Sequence, residues 1–322
     1  MNTGLSIKQQ VEQLAGAGEV GAAVELLEHR ASGGEPDALF ALGAWLDAGQ
    51  HLPRDRGRAR ACFQQAAAAG HAQADPLLTN FLATGTGGPR EWQAAVDRLR
   101  KRAPADARAR FELSLIASME LDDVGDPPSV PERRQLSESP WVQQIPALFT
   151  ERECAFLAAA AAPFLRPATV VDNISGKAVR NPIRTSHTAL FSPPLESPAV
   201  HALNRRLAAI AGTNVDQGEP LQVLRYELGQ EHKPHIDAIP SLDNQRVLTT
   251  LVYLNDGYTG GETHFVATGT RVQGRKGAGL IFRNVDSEGR ADKQAAHCGM
   301  PVTHGVKLLA SRWIRERSFA EA

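Results

Sequence analysis

The spacing of apolar residues changes character about a third of the way along the chain, from a helical recurrence to a period of two. In the N-terminal part, Trp45 and Phe81, Gly49 and Gly85, Gly34 and Gly70, and Ala38 and Ala74 are each 36 residues apart, and Ala23, Ala59 and Ala95 carry the period across three units. Small and large apolar residues returning together at this interval predict stacked helix–turn–helix units around a shared core, with less regular units at the ends. Further on, Thr150 and Glu153 form a capping box that opens a helix through Phe156, Leu157 and an alanine run. A second helix starts at Ser197-Pro198, places Val200, Leu203, Leu207 and Ile210 on one face, and stops at Gly212. The rest reads as short strands. These are Leu221–Tyr226, then Arg246–Leu254 with Thr249, Leu251 and Tyr253 on one face, then Lys276–Arg283, then the stretch from Val306 with Lys307, Leu309, Ser311 and Trp313 on one face. Turn chemistry at Asn255-Asp256-Gly257 and Gly260-Gly261 separates them, which predicts a β-sandwich or jelly roll rather than a βαβ fold.

The expected architecture is therefore α+β. Helical repeats cover 1–121, a linker covers 122–135, and a strand-rich domain with two buttressing helices covers 136–322. The boundary falls where Asp122, Asp123, Gly125 and three prolines up to Pro131 interrupt helical patterning. At 322 residues the chain is long enough for two cores. A net charge of -1 and a pI near 6.8 give no basic footprint, so no nucleic-acid partner is expected. No run of 18 apolar residues occurs, and Met1–Lys8 lacks an apolar leader core, so neither a membrane span nor a signal peptide is expected. Three scattered cysteines do not make a disulfide framework and suit a reducing, cytoplasmic location.

The candidate chemistry lies among the strands. His235-Ile236-Asp237 is followed by His297, 60 residues after the aspartate, and by Lys307 ten residues later. A lone His-x-Asp arises about one time in twenty by composition, and its plain reading is a loop histidine beside a turn aspartate. The setting strengthens it, because in extended chain the two side chains share a side directly after a strand that Gly229 closes. Two histidines and a carboxylate suit a non-haem Fe(II) site with open positions, and they also suit zinc. The plain reading of Lys307 is an edge lysine with its head in water. It shares a face with Leu309 and Trp313, however, and is one of only seven lysines among 35 basic residues. A buried ammonium needs a partner, and a dicarboxylic acid such as 2-oxoglutarate would supply one. His232, His264 and His304 lack partner spacing and are expected to be polar wall or surface residues. Cys298 points away from its neighbour His297 and is expected to be structural.

These pieces together resemble a known family. Leu221-Gln-Val-Leu-Arg-Tyr226, Gly229, Pro234-His235-x-Asp237, Arg246-x-x-Thr249, Tyr253-Leu-Asn255, Gly260-Gly-Glu-Thr263-x-Phe265, Gly277-x-x-Leu-x-Phe282, then His297-x-Gly-x-Pro301, Gly305-x-Lys307 and Trp313 look like the catalytic domain of prolyl 4-hydroxylases. The resemblance covers roughly residues 136 to 317 and implies a double-stranded β-helix that uses Fe(II), 2-oxoglutarate and O2, with ascorbate as a candidate accessory reductant. It implies iron ligation by His235, Asp237 and His297, and pairing of Lys307 with the 2-oxoglutarate C5 carboxylate. It also implies that Tyr226 and Thr249 act as hydrogen-bond donors in the same pocket and that Trp313 lines the cavity. Asp237 stands where halogenating relatives carry a small residue, which favours hydroxylation. His232 stands where many relatives carry tyrosine on the substrate side, which leaves prolyl specificity open. The repeats resemble the Sel-like relatives of tetratricopeptide repeats, which implies a peptide or protein partner, a cap on the catalytic domain, or self-association. The expected activity is hydroxylation of a peptidyl or protein side chain, proline first, with succinate and CO2 as co-products. Alternatives are a small-molecule hydroxylase acting on a free amino acid and a non-catalytic repeat adaptor. The turn-rich stretch 171–182 is the expected lid.

Overall fold

The computed structural model describes residues 5–171, 178–240 and 242–319. They fall into two compact units, one formed by 1–125 with 193–201 and the other by 126–192 with 202–322.

The first unit contains seven helices among the described residues, Ile7–Gly16, Val20–Ser32, Pro36–Ala48, Arg56–Ala68, Ala74–Thr84, Trp92–Arg102 and Ala107–Ala117. The 36-residue period is visible in their packing. Ala23, Ala59 and Ala95 lie on alternate helices and are fully buried, because only a methyl group fits where neighbouring helices meet. Gly49 and Gly85 end equivalent helices in the left-handed region, at φ 66° and 77°. A Cβ at either would press on the arginine five residues later, Arg54 or Arg90, at 3.3 Å. Phe63 meets Phe81 edge-on at 5.3 Å and lies against Gly43, where an added Cβ would come within 2.7 Å of the ring. Buried Glu112 accepts a hydrogen bond from the Ala199 amide at 2.9 Å, which ties segment 193–201 to this unit. No described helix is long and apolar enough to cross a membrane.

The second unit is built on two antiparallel sheets facing each other. The larger has eight strands in the order Arg134–Glu138, Trp141–Ile145, Gly279–Arg283, Arg246–Tyr253, Lys307–Arg315, Leu221–Tyr226, His187–Phe191 and Arg166–Pro167. The smaller has four, Thr270–Val272, Thr263–Phe265, His297–Gly299 and His232–His235. Leu224, Leu251 and Phe282 of the larger sheet pack with Phe265 of the smaller one, and Phe265 and Phe282 meet edge-on at 5.2 Å. The double-stranded β-helix architecture is thus present, with helical repeats before it. Thr150 and Glu153 form the expected capping box, and Arg206 places its two terminal guanidinium nitrogens on Glu153 at 2.7 and 2.9 Å. That fork joins helix Glu151–Ala161 to helix Pro198–Ala211.

Strand Arg134–Glu138 begins inside the stretch expected to be linker. It is a largely exposed sheet edge, so no alternation of apolar and polar residues marks it. Of the expected lid, residues 172–177 lie outside the described residues, and the flanking Thr169–Val171 and Ala178–Arg180 pair antiparallel.

Candidate active site

Cross-strand pairing brings the first two site residues together. His235 and His297 sit directly opposite each other in the smaller sheet, so both imidazoles leave the same face, with ring centroids 4.4 Å apart. Asp237 lies in a bend two residues beyond its strand. Its Oδ1 is 3.5 Å from His235 Nε2, and its Oδ2 is 3.6 Å from His297 Nε2. One donor atom from each of the three residues lies within 4.8 Å of the others.

Their protonation follows from their other contacts. His235 Nδ1 is 2.8 Å from the Lys233 carbonyl, and His297 Nδ1 is 3.0 Å from the Ala295 carbonyl. A carbonyl only accepts, so each Nδ1 carries a proton and donates it, which leaves Nε2 as the coordinating atom. Burial lowers the His297 pKa against the pull of Asp237. Burial pushes the Asp237 carboxyl up, yet His297, His235 and the Thr249 hydroxyl together outweigh it and hold the group below the usual carboxylate range. Two imidazole lone pairs and a carboxylate therefore converge, and a divalent cation satisfies all three.

Lys307 faces the same cavity. It is 2 % exposed, its Nζ donates to the Gly261 carbonyl at 2.6 Å, and it lies 5.4 and 5.5 Å from the ring centres of Tyr226 and Tyr253. Among the described residues no carboxylate pairs with it. Burial pulls its pKa down to about 8, with Glu262 opposing. A buried ammonium is costly without a counter-charge.

The remaining expected residues line the cavity as well. Tyr226 is the register partner of Lys307, and burial pushes its phenol up to about 12, so it remains a donor. Trp313 stacks under the Arg246 guanidinium at 3.6 Å, and Glu219 holds that guanidinium by two hydrogen bonds. Thr249 donates its one hydroxyl proton to Asp237 Oδ2 at 2.7 Å, so it acts on the carboxylate rather than pointing at a co-substrate. His232 is a wall residue stacked on His235 at 3.6 Å, and burial drives its pKa down to about 2. His304 is exposed. Cys298 also lines the cavity, with its sulfur 3.8 Å from His264 Nδ1 and 3.7 Å from Met300 Sδ.

Two residues that periodicity did not single out complete the wall. Thr263 lies within the glycine-rich motif and shares a 2.8 Å hydrogen bond with the Tyr253 hydroxyl. Arg184 lies between strands, where no apolar pattern marks it. The Asn181 side chain accepts from its amide at 3.0 Å, and a bridge to His232 fixes it.

A sequence profile of the 2OG-Fe(II) oxygenase superfamily matches residues 221–315, which span every residue placed in the metal and Lys307 sites. Prolyl 4-hydroxylase 1 of Arabidopsis thaliana is 34% identical over 203 residues, covering 57% of this chain and 71% of the relative. The chain belongs to the prolyl 4-hydroxylase family. It is a 2-oxoglutarate-dependent dioxygenase that uses Fe(II) and O2. A second hydroxylase relative, probable prolyl 4-hydroxylase 10 of Arabidopsis thaliana, is 29% identical over 234 residues, covering 65% of this chain and 81% of the relative. The chicken (Gallus gallus) prolyl 4-hydroxylase subunit alpha-1 is 31% identical over 189 residues, but the match spans only 36% of that longer protein. Among solved structures, the viral collagen prolyl hydroxylase of Paramecium Bursaria Chlorella virus-1 in its 2OG complex is 26% identical. That match covers 56% of this chain and 98% of the viral one, with a TM-score of 0.44.

Proposed function

We propose that this enzyme hydroxylates a proline side chain in a peptide or protein, with succinate and CO2 as co-products. The observation that carries the reading is a buried lysine without a carboxylate partner among the described residues, lining one cavity with three converging metal-ligand atoms. A zinc site would explain the triad but not the lysine.

His235 Nε2, His297 Nε2 and the Asp237 carboxylate would hold Fe(II), and the Lys307 ammonium would take the C5 carboxylate of 2-oxoglutarate. When bound, iron and keto acid supply the coupling of oxidative decarboxylation to the transfer of one oxygen atom from O2 into a C–H bond. The chain's own residues fix position. Tyr226 and Thr263 offer hydroxyls beside Lys307, while Leu224, Leu251 and Leu309 keep water from that end of the cavity. Arg184, uncharged His232 and Trp313 form the wall left for substrate. The helical repeats would select the protein that carries the target proline. A reducing compartment suits ferrous iron and the three buried free cysteines, with ascorbate as the reductant that restores Fe(II).

A second reading rests on Arg184, whose guanidinium hydrogen-bonds only the neutral Gln222 among the described residues. A free amino acid would bring a carboxylate to it. The test is anaerobic reconstitution with Fe(II) and 2-oxoglutarate, then exposure to O2 with proline-containing peptides or free amino acids. A peptide proline that gains the mass of one oxygen atom supports the proposal. Tight succinate coupling with free amino acids alone transfers the assignment to the second reading, and no O2 consumption with any substrate leaves a non-catalytic adaptor.

A further inference from the structure

Asp237 is the end of a buried chain of polar groups that runs through Thr249 to Asn284 and that iron ligation alone does not require. Asn284 is fully buried just after strand Gly279–Arg283. Its backbone is pinned on both sides, with its amide donating to Val247 O and its carbonyl accepting from the Asp292 amide, each at 2.9 Å. From there Asn284 Nδ2 reaches Thr249 Oγ1 at 2.9 Å, and Thr249 Oγ1 reaches Asp237 Oδ2 at 2.7 Å. Thr249 is itself 1 % exposed, on the neighbouring strand Arg246–Tyr253.

The direction of this chain is fixed by chemistry. A carboxylate that binds a metal can only accept, so the single hydroxyl proton of Thr249 points at Asp237 Oδ2. Thr249 Oγ1 then has only lone pairs left, so Asn284 must present its amino group and not its carbonyl oxygen. The Asn284 Oδ1 is left without a partner among the described residues. A buried amide with an unsatisfied oxygen costs stability, and an apolar residue would fill the space without that cost. The position makes sense if its donor is needed elsewhere.

We infer that Asn284 and Thr249 are positioning residues that hold Asp237 by one oxygen and so keep the carboxylate a single-oxygen ligand. With Oδ2 engaged by the Thr249 hydroxyl, Oδ1 is the oxygen that would be left for the metal. An iron held by three protein atoms would need its remaining positions for the keto acid and O2. A carboxylate that rolled to use both oxygens would occupy one of them. The inference rests on the metal reading of the triad, and it adds a specific reason for two buried side chains outside the ligand set.

The test uses Co(II) as probe, titrated anaerobically into the full-length metal-free protein and followed by its visible absorption bands, with thermal unfolding of each variant alongside. Thr249→Val should weaken Co(II) binding by about 10- to 100-fold, the range for lost hydrogen bonds to metal ligands, and should change band intensity as the coordination number changes. Thr249→Ser should restore both. Asn284→Leu should weaken binding in the wild-type background and have no further effect on Thr249→Val, because it acts only through that hydroxyl. Should Thr249→Val not fold, Asn284→Leu alone carries the test, and it must lower affinity and alter the bands. Wild-type affinity and spectrum in either single variant, or additive losses in the double variant, overturn the relay. A wild-type protein that binds no Co(II) would instead overturn the metal reading beneath it.

Discussion

Replacing Lys307 with methionine should move stability and co-substrate affinity in opposite directions. Burial holds the ammonium at a pKa of about 8, against its ordinary 10.5. The unfolded chain therefore binds this proton more tightly than the folded one, and at neutral pH the difference is about 3 kcal/mol against folding. The penalty is complete below pH 8 and shrinks as pH rises from about 8 towards 10.5. Methionine removes it but leaves the Gly261 carbonyl without its donor, a loss of about 1 kcal/mol. The net gain of about 2 kcal/mol should raise the Tm of the metal-free protein by about 4–8 °C. The same change removes the buried cation that would pair with the keto acid. Losing one partner of such a pair costs about 2–5 kcal/mol, which raises the Kd for 2-oxoglutarate from about 30-fold to several thousand-fold. Thermal unfolding of metal-free protein and anaerobic calorimetric titration of 2-oxoglutarate into the Fe(II) form read the two effects separately. A variant that keeps wild-type affinity removes the anchor role, and one that loses stability and affinity together shows that Lys307 is structural.

Affinity for 2-oxoglutarate should be constant below about pH 8 and fall above it as free Lys307 loses its proton, and a flat Kd from pH 7 to 10 would contradict this. His235→Ala should abolish Fe(II) binding, measured by anaerobic titration of Fe(II) into the metal-free variant. Retention of iron by that variant would remove His235 from the ligand set. Gly260→Ala should destabilise the β-helix unit by about 2–4 kcal/mol, because φ is 70° and the new Cβ would fall 2.3 Å from the Pro301 carbonyl. An unchanged urea midpoint would show that this turn relaxes freely.

Strand identity, helix starts and the 36-residue repeat were legible because each depends on local spacing. Period-two counting put Lys307, Leu309, Ser311 and Trp313 on one face, and all four line a single cavity. The capping box at Thr150 and Glu153 was equally readable, since its partners lie within one turn. The edge strand Arg134–Glu138 escaped because one exposed edge imposes no alternation on its residues. Arg184 escaped because a turn and an interstrand bridge place it, and neither leaves a repeating mark.

The sequence by itself determined which residue types stand ready for chemistry and which elements carry them, because backbone periodicity and turn chemistry act over a few residues. It could not determine what those side chains do to one another. Only the tertiary structure set His235 against His297 across two strands, turned the Thr249 hydroxyl onto Asp237, and buried Asn284 behind both. A hydrogen bond is decided by the direction of a single donor across 35 residues of chain, and that direction exists only once the sheets have closed.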